Sequence, residues 1–168
     1  MRPLLILIAF CSLWAFSLGV RADLYTEVNA LVQSSQLQKA QALADERLKT
    51  VPTDPQMRLL LSRIQTGLGQ TQAAMDTLQS LTQSFPELPE PHNNLAALLA
   101  RENRLAEAQL SLEAAIKAKP DYALALENLG DIHAALAVDA YGKALKITPN
   151  VTRIQNKKLA TEQLLKTP

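Results

Sequence analysis

Few side chains in this sequence have the type and spacing to do chemistry. His92 and His133 are its two histidines and Cys11 its one cysteine. A zinc site takes three or four His, Cys or carboxylate ligands, so two separated histidines make a poor one. A nucleophilic cysteine needs a partner that lowers its pKa, and Cys11 lies inside an unbroken apolar run, where it reads as a small hydrophobe. There is no G-x-S-x-G elbow, no H-E-x-x-H and no glycine-rich phosphate loop. Glu87 with Glu90, and Glu102 with Glu107, are carboxylate pairs of the kind any helical protein carries. The sequence therefore points to no catalytic residue, no metal and no cofactor, and function has to be sought in recognition.

Composition narrows the classes further. The 168 residues hold 17 Lys+Arg against 16 Asp+Glu, so no global charge suggests nucleic acid. With 48% hydrophobic and 20% charged residues the chain can build a core and is no disordered polyelectrolyte. One cysteine excludes an internal disulfide framework.

The N-terminal stretch, 1–22, reads as an address. Met1-Arg2 is a short basic start, Pro3 to Val20 carry no charge, and Val20-Arg21-Ala22 puts small residues where a signal peptidase requires them. The expectation is a signal peptide cleaved after Ala22, a domain beginning at Asp23 and a periplasmic location. The alternative is an inner-membrane anchor formed by residues 3–20, a run long enough to span a bilayer. A lipid-modified Cys11 is disfavoured because bulky Phe10 precedes it. Without Arg2 and Arg21 the remaining chain has 15 basic and 16 acidic residues and no cysteine, in keeping with an oxidising compartment.

What must position any recognition surface is a repeat. Pro52, Pro86 and Pro120 are evenly spaced, at i, i+34 and i+68, and Ala40, Ala74 and Ala108 share that spacing. Each proline follows an apolar stretch that it would terminate as a helix. Between prolines the apolar residues fall at helical spacing in two runs, as in Leu95, Leu98, Leu99 and then Leu105, Ala108, Leu112, Ala115, Ile116. Asn103 separates these runs as a left-handed turn residue; Gly67 and Gly69, and before them Ser34-Ser35, are expected to do the same. Asp54-Pro55 reads as an N-cap followed by proline in the first helical position.

These residues resemble the tetratricopeptide repeat family. Residues 89–122 match best, through Leu95, Ala96, Leu99, Ala108, Leu112, Ala115 and Pro120. Residues 55–88 match through Leu61, Ser62, Ala74, Leu78 and Pro86, with Leu81 in place of a small residue. Residues 21–54 match through Val28, Leu37, Ala40, Ala44 and Pro52, with Arg47 in place of a small residue. The family's early aromatic is replaced by Leu24, Arg58 and His92. The resemblance implies an all-α, right-handed helical-hairpin solenoid of about four units over residues 23–149, followed by a C-terminal capping helix over 150–168. It also places His92 and His133 where helices pack together.

The fourth unit is compressed. Leu129-Gly130, Ala137, Tyr141, Ala144 and Pro149 fit, but Pro149 follows Pro120 at i+29, short of the repeat's i+34. No Gly, Pro or Asn lies between Asp131 and Tyr141, and the apolar positions from Leu126 through Leu136 to Ile147 run without a phase break. This predicts one continuous helix over 122–147; the alternative is a tight hairpin at 134–137. Asn150 is expected to cap a last helix from Val151 to about Leu165, with Val151, Ile154 and Leu165 on one face. From Ala140 onward six basic residues face one acidic residue, which suits a solvated cap.

The resemblance further implies that the first helix of each unit lines a binding groove, and on this chain it selects Asn29, Arg63, Asn94, Arg101, Asn128 and Asp131. Asn94 and Asn128 recur at the repeat's i, i+34 spacing, and an amide both donates and accepts, as pairing with an extended peptide requires. Some family members clamp a C-terminal carboxylate with Lys and Asn. Here Tyr25, Leu60 and Glu90 stand at those places, so that activity is not implied. The expectation is a non-enzymatic adaptor in the cell envelope that binds a protein or extended peptide, with no nucleic acid and with membrane contact only if the signal stays uncleaved. The alternatives are a periplasmic co-chaperone holding exported clients, or the accessory subunit of an envelope enzyme.

Overall fold

The computed structural model describes residues 24–166; the N-terminal address lies outside them. Among the described residues every regular element is helical: α1 (24–33), α2 (Leu37–Thr50), α3 (Pro55–Gly67), α4 (Thr71–Ser84), α5 (Pro89–Arg101), α6 (Leu105–Ala118), α7 (Ala123–Ile147) and α8 (Thr152–Leu164). This is the expected series of helical hairpins with a C-terminal helix. No described helix is long and apolar enough to cross a membrane. The chain divides into two compact units, and the division falls within α4, between Thr77 and Leu78.

The hairpin turns share one backbone device. Ser35, Gly69 and Asn103, again at i, i+34 and i+68, have φ of 59°, 74° and 58°. Each closes its helix the same way. The amide of the following residue, Gln36, Gln70 or Arg104, donates to the carbonyl of Leu31, Gln65 or Leu99 at 2.8–2.9 Å. The left-handed residue's own amide reaches Val32, Thr66 or Ala100. This bond pair caps a helix C-terminus that ends in a left-handed residue. Gly67 is not part of the turn: it ends α3, and a Cβ there would lie 2.8 Å from a methyl of Leu37. Its small size admits the α2 side chain.

In the first unit Val28, Ala40, Ala44, Met57, Leu60, Leu61 and Ile64 form the core. Its edge is fixed by a polar knot. Asp54, 6% exposed, caps α3 through the Met57 amide at 3.1 Å. Its other oxygen accepts from the Tyr25 hydroxyl at 2.6 Å and from Arg47 Nε at 3.0 Å. Arg47, the residue that broke the repeat's small-residue pattern, is thus the counter-ion of a buried carboxylate. Burial opposes ionisation of Asp54, but the bonds from Tyr25, the Met57 amide and Arg47 outweigh it and hold its pKa below the ordinary 3.8.

In the second unit Ala96, Leu98, Leu99, Ala108, Leu112 and Ala115 are buried where α5 packs on α6, and Ala125 and Ile132 are buried on α7. α7 is one unbroken helix of 25 residues, as the uninterrupted apolar phase requires. Among the described residues no left-handed residue follows Asn103 at the next repeat, so nothing reverses the chain. Two expectations for its end need correction. The cap of α8 is Val151, with no side-chain bond, and Asn150 lies outside it. Leu165 is 40% exposed beyond the helix, whereas the stem of Lys158 lies over Gly142, 3.8 Å from where a Cβ would stand. Lysine stems cover apolar surface in this way.

Because the folded-state pKa of Asp54 lies below its unfolded value, its contribution is complete above that value and is lost as pH falls through the folded one. Urea denaturation should show stability declining below about pH 4, with a flatter decline in Asp54→Asn. Asp54→Ala, which strands Arg47 and removes the cap, should cost about 3 kcal/mol at neutral pH.

Candidate functional site

The six candidate residues fall into two sets, Asn29 and Arg63 in the first unit and Asn94, Arg101, Asn128 and Asp131 in the second. In the first unit the Asn29 amide donates to the Tyr25 carbonyl of its own helix at 2.9 Å, so part of its capacity is spent locally. Arg63 is exposed on α3, with Leu59 half-buried one turn earlier. Tyr25 is committed to Asp54, and burial followed by that bond raises its pKa.

The second unit assembles a better-defined face. Asn128 of α7 donates from Nδ2 to Oδ1 of Asn93 on α5 at 2.8 Å. Asn93 is 3% exposed and Asn128 half-buried, so the pair is a part-buried polar tie between the two first helices and not a free recognition group. The pairing of Asn128 with Asn93 was hidden behind its recurrence with Asn94 at the repeat spacing. Beside the tie, Asn94 is half-buried, and Arg101, Glu127 and Asp131 are exposed together with Leu124, 47% exposed. The tie sets the spacing of α5 and α7, and the exposed residues give the face both signs of charge and an apolar element.

The histidines have no partners that suggest chemistry. His92 Nε2 lies 3.2 Å from the Pro86 carbonyl, a contact that steadies the turn before α5. His133 is exposed, contrary to the packing place the resemblance gave it, because no returning second helix covers that side of α7. Sequence reasoning missed a cleft of about 760 Å³ between the α5–α6 turn and the middle of α7. Leu136 and Val138 line it, but its charged rim is self-paired: Arg104 grips Glu107 at 2.6 Å and Lys143 grips Asp139 at 2.6 Å. Its only sequence signal was the shortened fourth unit.

With this geometry in view, the comparisons are decisive on the repeat. Tetratricopeptide repeat family models match residues 31–101 and 93–150. Residues 31–150 are tetratricopeptide repeats. Among solved structures, the tetratricopeptide repeat domain of Sgt2 from Aspergillus fumigatus is similar with TM-score 0.64 and 18% identity, over 68% of this chain and 78% of that one. The first such domain of Spaghetti, bound to the HSP90 peptide SRMEEVD, gives 0.64 and 16%, over 69% and 92%. The Yersinia enterocolitica secretion chaperone SycD, in complex with a peptide of the translocator YopD, gives 0.57 and 16%, over 86% and 94%. At these identities the likeness is one of fold. No curated protein matches the chain.

Asn128→Ala should leave the buried oxygen of Asn93 unpaired and cost about 1–2 kcal/mol in urea denaturation. The double replacement with Asn93→Ala should cost less than the sum of the two single ones, the sign of a direct tie.

Proposed function

We propose that this protein is a non-enzymatic adaptor of the cell envelope, and that the first-helix faces of its repeats bind an extended segment of a partner protein. The observation that carries this reading is the α5–α7 face. There an amide pair, Asn93 buried and Asn128 half-buried, links two first helices, which also carry half-buried Asn94, exposed Arg101 and Asp131, and apolar Leu124. A surface that mixes amides, both charges and an apolar anchor suits main-chain hydrogen bonding with modest side-chain selection. Asn29 and Arg63 on the first unit extend the candidate set. The repeat family, and relatives of the same fold whose structures hold peptides, support a binding role.

The ligand's chemistry follows from the charges. Within the second unit Arg101 is exposed together with Glu127 and Asp131, so that face carries both signs of charge and suits a partner segment that is neither strongly acidic nor strongly basic. An acidic C-terminal tail of the SRMEEVD kind finds no clamp here: Tyr25 is bonded to Asp54, Leu60 is buried in the core, and Glu90 would repel it. The envelope assignment rests on residues 1–22. Cleavage after Ala22 makes the protein periplasmic, and retention of residues 3–20 would tether it to the inner membrane.

Crosslinking in the native envelope should capture one stoichiometric partner. Replacing Asn94 and Arg101 together with Ala, neither of which is part of the Asn93–Asn128 tie, should weaken that capture roughly tenfold, about 1.4 kcal/mol, with helicity unchanged. Undiminished capture removes this face from the site. Many weakly held clients in place of one partner would favour the co-chaperone.

A further inference from the structure

α8 folds back along the second half of α7, and two contacts fix the level at which they meet. Lys157 Nζ stands over the Tyr141 ring, 6.0 Å from its centroid, and the Lys158 stem lies over Gly142. Beyond that level the two helix ends and the turn between them make a tip, residues 143–156. Charge is segregated along this hairpin. No Asp or Glu lies between Asp139 and Glu162, whereas Lys143, Lys146, Arg153, Lys157 and Lys158 do. The two acids stand on the side of the Tyr141–Lys157 level away from the tip, and they pair with Lys143 and Lys158. Lys146, Arg153 and Lys157 are exposed and take part in no ion pair among the described residues. Between Lys146 and Arg153 stands Ile147, 82% exposed, followed by exposed Thr148, Pro149 and Asn150. No other large hydrophobic side chain among the described residues is so exposed, and Ile147 therefore adds almost nothing to the core.

We propose that this tip docks on the surface of an anionic bilayer. Ile147 and Pro149 enter the headgroup region, Lys146 and Arg153 meet lipid phosphates beside them, and Lys157 adds its charge one turn behind. Basic side chains gain binding from the negative potential of an anionic leaflet, and apolar ones from entering its interface. The shape of the feature favours lipid over an acidic protein. An isoleucine on the turn between two helix ends needs a fitted socket on a folded partner, whereas a bilayer yields around it. The contact is a surface one, since no described helix is long and apolar enough to cross a membrane. It draws on neither residues 1–22 nor the α5–α7 face. About 22 Å of α7 separate Asp131 from Lys146, so the tip can rest on lipid while that face holds a partner.

The test places a reporter at the tip. In the full chain with Trp14→Phe, Ile147→Trp is the only tryptophan and reads its own surroundings, whatever residues 1–22 do. Vesicles of phosphatidylglycerol and phosphatidylcholine in equal parts should shift its emission to the blue and protect it from acrylamide, and phosphatidylcholine alone should do neither. Adding Lys146→Glu and Arg153→Glu, both at exposed sites, should weaken the binding read from that shift roughly twentyfold or more, with helicity unchanged. Leu110→Trp on α6, a site 66% exposed, should not shift in the same Trp14→Phe background. No shift at Ile147→Trp, a shift as large on neutral vesicles, or an equal shift at Leu110→Trp would overturn the proposal. A shift with soluble polyglutamate and none with anionic vesicles would also overturn it, and would assign the tip to an acidic protein.

Discussion

The architecture depends on a backbone conformation that most residues avoid. An L-residue in the left-handed region costs roughly 1–2 kcal/mol unless it is glycine or a short polar residue that can bond locally. Among the described residues this chain adopts that conformation at Ser35, Gly69 and Asn103, once in each of the first three repeats. Each lets two amides reach back into the helix just ended, satisfies carbonyls that would otherwise be left over, and sends the chain into the next helix in the opposite direction. The apolar seams of the hairpins, Ala96 against α6 for example, form only because this turn comes first.

The same constraint explains the end of the molecule by its failure. The shortening of the fourth unit removes the fourth left-handed residue, and the helix that would have stopped runs on for 25 residues. Three things follow from that one loss. Gly130, whose counterparts Ser62 and Ala96 are 1% exposed, faces open space. A cleft opens between α7 and the α5–α6 turn. Finally, α8 packs on a helix end that has no repeat partner, so it buries no residue completely and relies on the Lys158 stem and on the 2.8 Å Lys158–Glu162 pair along its own surface.

Much of the fold was legible because it is written in backbone-restricted residues. The proline period marked the helix ends, and α2, α4 and α6 stop at Thr50, Ser84 and Ala118, each just ahead of Pro52, Pro86 and Pro120. Asp54 read correctly as a cap. What the sequence hid were side-chain choices with two plausible readings. Arg47 looked like a repeat defect, and only its 3.0 Å contact with Asp54 reveals a counter-ion. Asn128 looked like a recognition amide because it recurs with Asn94, and its bond to Asn93 shows a structural share. Lys158 read as solvated because charge says nothing about where four methylenes lie. Gly67 and Gly69 were indistinguishable as turn formers until φ separated them. Recognition residues are the least legible of all, since an exposed Arg101 or Asp131 satisfies the fold equally well with or without a partner.

The central claim is that a missing left-handed turn makes α7 a single straight helix and thereby gives this repeat array its unusual end. It is tested most directly by a distance. Spin labels on Leu124→Cys and Lys146→Cys, with Cys11→Ser and the labelled chain diluted into unlabelled protein, bracket the helix at two exposed sites. A continuous helix predicts a backbone separation of about 33 Å. A separation of about 10 Å, that of two packed antiparallel helices, would mean that the chain reverses after all and would contradict the account.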